Sequence, residues 1–381
     1  MKILIAGDYS PYARVVTLIN RGQTDNILSA VIPYIQKADY AIVNLESTLA
    51  PNGSKPIAKC GPNLSCNTEA IVVLRHAGFH CATLANNHIM DYGSIGLHAT
   101  MKELRYINMD YVGAGNNLQE AQQPLIKEID GQTIAIINCC EHEFSIADTT
   151  HAGANPLDMV DISHQIQAAR QLADYVLVIV HGGHERYQLP SPRMQKTYRF
   201  FIEAGADAVV NHHQHCYSGY EIYQGKPIFY GLGNFCFDWN GRRHSLWNQG
   251  YMVMLDLLPQ GVQYSLIPYE QCEERVGVCL LTNEQQKDFT NQLEKLNAII
   301  ADSTLLTQHW QQWVQSRNKM LLDFAPYTCR ILRYMANRNL LPKFLNAKRT
   351  ATLLNRIDCE SHRDVAAYLL KNRLTEVYQT L

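Results

Sequence analysis

The stretch Asn211-His212-His213-Gln214-His215 follows the apolar run Ala206-Asp207-Ala208-Val209-Val210, and its reading decides the rest of the chain. Small and β-branched residues behind Gly205 predict a short buried strand that delivers three histidines to its exit. On an extended segment side chains alternate, so His213 and His215 are expected to point the same way and grip one metal ion or two adjacent ones. Three imidazoles within four residues are hard to account for as packing.

Working outward, the same pattern repeats. Strand-like runs at 3–6, 40–43, 81–84, 134–137 and 176–180 alternate with helical periodicity at 68–76, 95–105, 162–173 and 193–204. Gly78 and Gly205 read as helix stops, and Asp130-Gly131 and Gln224-Gly225 as hairpin turns. The alternation predicts a layered α/β domain with a mixed β-sheet over residues 1–270. From residue 283 the texture becomes Gln, Lys, Leu and Asn at helical spacing, which predicts a helical C-terminal extension over 283–381. Arg330, Arg333, Arg338, Lys343, Lys348, Arg349 and Arg356 form a basic tract there. It reads as a solvated helix face or as a contact to a membrane surface or anionic polymer.

Composition narrows the class. A length of 381 residues suits one large α/β domain with an appendage, and 46% hydrophobic residues suffice for an ordinary core. A net charge of -2 gives no reason to expect a nucleic-acid partner. Eleven cysteines, an odd number scattered through strands, predict reduced thiols and a cytoplasmic setting. Cys60 and Cys66 flank a loop whose spacing fits no zinc pattern, and Cys139-Cys140 reads as core. Candidate chemistry begins at the eighth residue, so no signal peptide is expected. No apolar run reaches membrane-spanning length, so no transmembrane segment is expected.

Candidate metal-ligating groups stand at the exits of the other strands. Asp8 closes the first. Asn44 and Glu46 close the second and share a face, so Glu46 is expected at the same rim as Asp8, where a two-metal centre needs a bridging carboxylate. Asn86-Asn87-His88 follows the third: an asparagine carbonyl is a neutral oxygen ligand, and an adjacent histidine is a proton donor. Asp91, three residues on, is placed to orient His88. His181-Gly182-Gly183-His184-Glu185 follows the run at 176–180, with glycines that let backbone approach a ligand. Glu141 and Glu143 are expected at the site rim.

Seven separated blocks also resemble the bacterial capsule-synthesis CapA family. They are Gly7-Asp8, Asn44-Leu45-Glu46, Leu84-Ala85-Asn86-Asn87-His88 with Asp91-Tyr92-Gly93, Gly113-Ala114-Gly115, His181-Gly182-Gly183 with Glu185, Ala204-Gly205-Ala206-Asp207 before the histidines, and Tyr230-Gly231-Leu232-Gly233-Asn234-Phe235. The resemblance spans about residues 2–258. That family is named for poly-γ-glutamate capsule production and looks like a branch of the calcineurin-like metallophosphoesterases. The resemblance implies that Asp8, Glu46, Asn87, His181, His213 and His215 bind metal, with Glu46 bridging and one histidine of the last pair on each ion. It implies that His88 is catalytic and that Asn234 lines the site. Asn44, Asn86, Glu185, His212 and Asn234 are the expected substrate-binding residues.

The chain departs from the superfamily pattern at three points. Asp8 is followed by Tyr9 and Ser10, without the usual first-strand histidine. Glu46 replaces a bridging aspartate. Asn211 and Gln214 replace the glycine and proline common around the family's histidines. With these departures, above all the missing histidine, the site of Asp8 and His215 is expected to be weaker or to take Glu185 or water as a ligand. The family's usual membrane anchor is not expected.

The expectation is a cytoplasmic metal-dependent hydrolase with two divalent ions (Mn, Fe or Zn) acting on a phosphoester or related bond. Its substrate would be a small molecule or an anionic polymer. A γ-glutamyl amide hydrolase and a non-catalytic accessory protein of capsule polymer synthesis are the alternatives.

Overall fold

The first strand, β1 (Lys2–Tyr9), is buried along its length apart from Lys2, as expected of a strand covered on both faces. The others that matter follow in chain order: β2 (Tyr40–Leu45), β3 (Cys81–Thr83), β4 (Asp110–Val112), β5 (Leu125–Ile129), β6 (Gln132–Cys140), β7 (Tyr175–His181) and β8 (Ala208–His212). They continue with β9 (Tyr220–Tyr223), β10 (Lys226–Phe229), β11 (Asn234–Cys236), β12 (Gln249–Leu258), β13 (Gly261–Gln271) and β14 (Val278–Leu280). This computed structural model describes residues 1–59, 61–316 and 329–342, with 346 and 353.

These strands form two sheets rather than the one expected from the sequence. An eight-stranded sheet has the order β14-β13-β12-β1-β2-β3-β4, with β11 pairing the end of β1. A six-stranded sheet has the order β9-β10-β8-β7-β6-β5. Both are mixed: β1, β2, β3 and β4 run parallel in the first, and β6, β7, β8 and β10 in the second, with antiparallel strands at the margins. The second sheet arises because both faces of each parallel set are apolar. Ile3, Ile5 and Ile42 of one sheet share a core with Ile134, Ile136, Leu177, Ile179 and Val210 of the other. The opposite face of the first sheet, with Leu4, Ala41 and Val43, packs under helices α1 (Ala13–Asn20), α2 (Thr68–Ala77) and α3 (Gly93–Tyr106). Helices α4 (Met159–Arg170) and α5 (Pro192–Ala204) cover the outer face of the second. The layers are therefore helix, sheet, sheet, helix, within the layered α/β class that the alternation predicts.

Local sequence fixes these elements. Asn67 caps α2 by accepting from the Ala70 amide at 3.1 Å, and Gly78 ends that helix in the left-handed region. Ser191 caps α5, Pro192 starts it and Gly205 ends it. Asp130-Gly131 and Gln224-Gly225 have positive φ at both residues, the requirement of a two-residue hairpin.

Residues Met1–Thr307 form one compact unit and Gln308–Leu381 another. Helix α6 (Asn283–Ala301) belongs to the first, where Phe289 and Leu293 are buried against Tyr217 and Tyr251. In the second, a helix at Arg330–Asn337 carries Arg330 and Arg333 and exposes Ile331 and Tyr334. Lys343, Lys348, Arg349 and Arg356 of the basic tract lie outside the described residues, as does Cys60. No helix among the described residues is long and apolar enough to cross a membrane.

Candidate metal centre

Every expected ligand stands at or just beyond the C-terminal end of a parallel strand, where open α/β sheets leave polar backbone and loops free. A register shift between Ala6 and Asp8 marks a bulge in β1. Gly7 is needed there: a Cβ would lie 2.0 Å from the Gly233 carbonyl oxygen. The bulge turns Asp8 inward, and its backbone amide donates to that same carbonyl at 3.1 Å. Asn138 ties the sheets beside the site. Its carbonyl accepts from the Ala85 amide at 2.7 Å, and its amide donates to the Ile179 carbonyl at 3.0 Å.

Two donor sets result. Glu46, His181 and His213 offer ligand atoms within 4.8 Å of one another, and so do Asp8, Glu46 and His215. Glu46 belongs to both. Asn87 adjoins the first set, with its Oδ1 3.1 Å from His181 Nε2. The Asn87 amide donates to Glu143 Oε2 at 2.9 Å, which turns the carbonyl oxygen toward the histidines. His88 Nε2 lies 3.8 Å from Glu46 Oε1, while its Nδ1 donates to Asp91 Oδ2 at 2.6 Å. All of these donors are buried.

His213 and His215 do not lie on an extended strand. Strand β8 ends at His212, and His213 and His215 both have positive φ, at 89° and 54°. The left-handed turns separate the two imidazoles, which enter different donor sets with ring centroids 5.9 Å apart. His212 turns the other way and meets the Ala6 carbonyl oxygen at 3.0 Å through Nε2.

Several residues expected to bind substrate are instead buried behind the donors. Asn44 donates to Asp8 Oδ1 at 2.8 Å and approaches His181 Nδ1 at 3.2 Å. Asn86 closes its own turn, accepting from the His88 amide at 3.1 Å and donating to the Leu45 carbonyl at 2.9 Å. Asn234 accepts from His215 Nδ1 at 2.9 Å. Asn44, Asn86, His212 and Asn234 thus engage polar atoms inside the protein, although His212 Nδ1 is buried without a partner. Glu185 is exposed at the margin and outside both donor sets, although its charge is felt by Glu46 and His215.

The electrostatics describe a site built for cations. Burial lifts the Glu46 carboxyl well above the usual range, nearby Asp8 adds to this, and His215 opposes it. Burial also pushes His181 down, helped by the neighbouring histidines, and lowers His88 against the pull of Asp91. His215 goes the other way: burial opposes its charge, but Glu46 and Asp8 outweigh it and raise the imidazole to about 10. Both Glu46 oxygens are buried with no hydrogen-bond partner. A buried carboxyl without hydrogen-bond partners at the junction of two imidazole-bearing sets fits divalent cations, which oxygen and nitrogen donors of this mix accommodate.

Two residues reach the site without a sequence signal to rank them. Lys59, from the irregular stretch at 51–59, forms an ion pair with Asp91 Oδ1. Trp247 stacks at a tilt beside His215, with centroids 4.7 Å apart. Glu143, expected only at the rim, proves to be the partner of Asn87.

Fold and site together define a layered α/β protein with two adjoining carboxylate–histidine donor sets. The chain belongs to the family described as bacterial capsule synthesis protein PGA_cap, whose profile matches residues 2–239. It is 31% identical over 278 residues to the capsule biosynthesis protein CapA of Bacillus anthracis, covering 69% of this chain and 68% of that one. It is 34% identical over 227 residues to the PGA biosynthesis protein CapA of Bacillus subtilis (strain 168), covering 58% and 60%. A crystal structure titled as a novel phosphatase from Mycoplasma pneumoniae superposes with a TM-score of 0.46 at 17% identity, covering 76% of this chain and 98% of that one.

Proposed function

We propose that the protein is a metal-dependent hydrolase of a phosphoester or related bond, serving capsule or other anionic-polymer metabolism. The observation that carries the reading is Glu46: a fully buried carboxylate, unpartnered at both oxygens, shared by the two donor sets and facing His88. Asp8, Glu46 and His215 would hold one divalent ion, and Glu46, Asn87, His181 and His213 the other. When bound, Mn, Fe or Zn ions would supply an acidified water as nucleophile and positive charge for the phosphoryl oxygens.

The chain's own residues do the rest. Asp91 holds the His88 ring by Nδ1 and favours its charged form, so that Nε2 is turned to the pocket and, in the imidazolium, carries the proton for the leaving oxygen. Asn234 and Asn44 orient His215 and Asp8. Glu143 keeps the carbonyl end of Asn87 inward. Glu185, exposed at the margin, would meet the substrate. The substrate is a small molecule or an anionic polymer, the latter suggested by the capsule names of the relatives. The basic tract around Arg330, Arg333 and Arg338 would supply a polymer or membrane-surface contact. All nine described cysteines are free, which supports a reducing cytoplasmic setting.

A second reading is a non-catalytic accessory protein of polymer synthesis. It is favoured by Tyr9 and Ser10, which leave Asp8's set without a first-strand histidine. The deciding experiment loads purified protein with Mn²⁺, Fe²⁺ or Zn²⁺, measures bound metal, and screens phosphoesters and γ-glutamyl peptides. Metal-dependent phosphoester turnover supports the hydrolase. Cleavage confined to γ-glutamyl peptides moves the reading to an amide hydrolase. Bound metal with no turnover on either class favours the accessory role.

A further inference from the structure

The loop residues 51–59 and 61–64 close onto Asp91. The Ile57 amide donates to the Asp91 backbone carbonyl at 2.9 Å, and the Leu64 amide donates to Asp91 Oδ2 at 2.6 Å. The Asn63 side chain braces the loop by donating to the Ile57 carbonyl at 3.1 Å. Between these anchors Lys59 turns inward. Its side chain is only 1% exposed, an uncommon state for lysine. The ammonium meets Asp91 Oδ1 as an ion pair and lies 3.4 Å from the Asn87 carbonyl oxygen and 3.0 Å from His88 Nδ1. The Phe144 ring covers it, with the nitrogen 5.3 Å from the centroid.

We propose that Lys59 is a positioning residue for the proton donor: it occupies Asp91 Oδ1, so that Oδ2 is left to hold His88 by Nδ1 and Nε2 is fixed toward Glu46. The argument is geometric. A carboxylate without a partner on one oxygen rotates to share its two oxygens, and the imidazole it holds swings with it. Here each oxygen has a separate partner, an ion pair without a hydrogen bond at Oδ1 and hydrogen bonds at Oδ2. Lys59 takes Oδ1, and Oδ2 accepts from both His88 and Leu64. Lys59 also stands where it would donate to Nδ1 if Asp91 released the ring, which would make Nδ1 an acceptor and leave the charged ring without its carboxylate partner. A lysine held by a carboxylate, a backbone carbonyl and an aromatic face, under a loop anchored at both ends, is fixed in place rather than free to reach substrate. The proposed catalytic effect rests on the hydrolase reading above.

The test follows the His88 ring directly, using full-length zinc-loaded protein with ¹⁵N-labelled histidine. The His88 signals are assigned by their loss in His88→Asn. Wild type should carry a protected proton on Nδ1. In Lys59→Met that proton should exchange roughly tenfold faster or more, with zinc content unchanged. Lys59→Arg should restore protection. Turnover supplies the second arm. Lys59→Met should lower kcat for phenyl phosphate, whose leaving group needs a proton, by roughly tenfold or more, with KM nearly unchanged. It should leave 2,4-dinitrophenyl phosphate almost untouched. Equal losses on both substrates, unchanged ring exchange in Lys59→Met, or a wild-type Nδ1 without a proton would overturn the proposal. If Lys59→Met does not fold, Lys59→Gln carries the same measurements. If wild type cleaves neither ester, the hydrolase reading fails, and ring exchange still decides whether Lys59 positions His88.

Discussion

Asn234 Oδ1 lies 2.9 Å from His215 Nδ1, and this contact leaves Nε2 as the ring nitrogen turned to Glu46, 3.6 Å away. The asparagine is itself held by two backbone carbonyls, those of His215 and Trp247. One side chain thus fixes the direction of an imidazole whose backbone is a left-handed turn with little intrinsic preference for it.

Asn234→Ala should therefore weaken one metal step and spare the other. Affinity at the set of Asp8, Glu46 and His215 should fall roughly 10–100-fold, as for other lost partners of metal-binding histidines. The set of Glu46, His181 and His213 should keep its affinity. Calorimetric titration with Mn²⁺ reads both steps. An equal loss at both would mean that Asn234 supports the fold and not His215.

His88 and His213 should separate chemistry from binding. His88→Asn should leave metal content nearly unchanged and reduce turnover roughly 10²–10⁴-fold, the usual effect of losing a general acid. His213→Ala should lower metal occupancy and turnover together. Metal analysis beside steady-state kinetics checks both. An active His88→Asn enzyme would remove His88 from the proposed mechanism.

Much of this arrangement is legible in the sequence because strand ends are. Runs such as 176–180 and 208–210 are apolar throughout, so the first polar residue after each marks a sheet edge, and that is where His181 and Asn211 stand. The helix stops at Gly78 and Gly205 and the two hairpin turns are equally legible, since each requires a positive φ. Three things were not. The split into two sheets depends on which apolar faces meet, and a run buried on both faces carries no periodicity to say so. The left-handed turns at His213 and His215 replace the alternation of a strand, because neither residue is a glycine that would announce them. Lys59 lies in a loop without period and is one of 33 Lys and Arg residues. Only folding brings it against Asp91.

Metal binding should depend steeply on pH through His215. In the metal-free protein its imidazole is raised to about 10, so it is protonated at neutrality and an ion must displace that proton. Affinity at its set should rise by about tenfold per pH unit, for each proton displaced, between neutrality and pH 10. Fold stability of the metal-free protein should move oppositely. A folded value above that of the unfolded chain contributes stability that is complete below about pH 6.5 and is lost as pH rises through about 10. Titration in buffers of different ionisation enthalpy counts the released protons. No proton release at pH 7 would mean that His215 is neutral before the ion arrives.

Glu46→Gln tests the centre as a whole. Glu46 is fully buried, and neither of its oxygens accepts a hydrogen bond. Removing its charge therefore sacrifices no hydrogen bond, and it relieves the cost of burying a carboxylate beside Asp8. His215 keeps a counter-charge in Asp8, whose Oδ2 is 3.6 Å from Nδ1. The relief at Glu46 is set against the loss of the charge that does most to raise His215, so the metal-free variant should melt close to metal-free wild type. Its response to metal should differ sharply. An ion at a hundredfold excess over its Kd stabilises wild type by about 2.7 kcal/mol, a shift of a few degrees in Tm. The variant loses the donor common to both sets and should show little of that shift with Mn²⁺ or Zn²⁺. Melting curves of both proteins, stripped and loaded, give the four values needed. A variant that melts well below metal-free wild type would show that Glu46 stabilises the fold. One that keeps the full metal-induced shift would show that Glu46 is not shared between the ions.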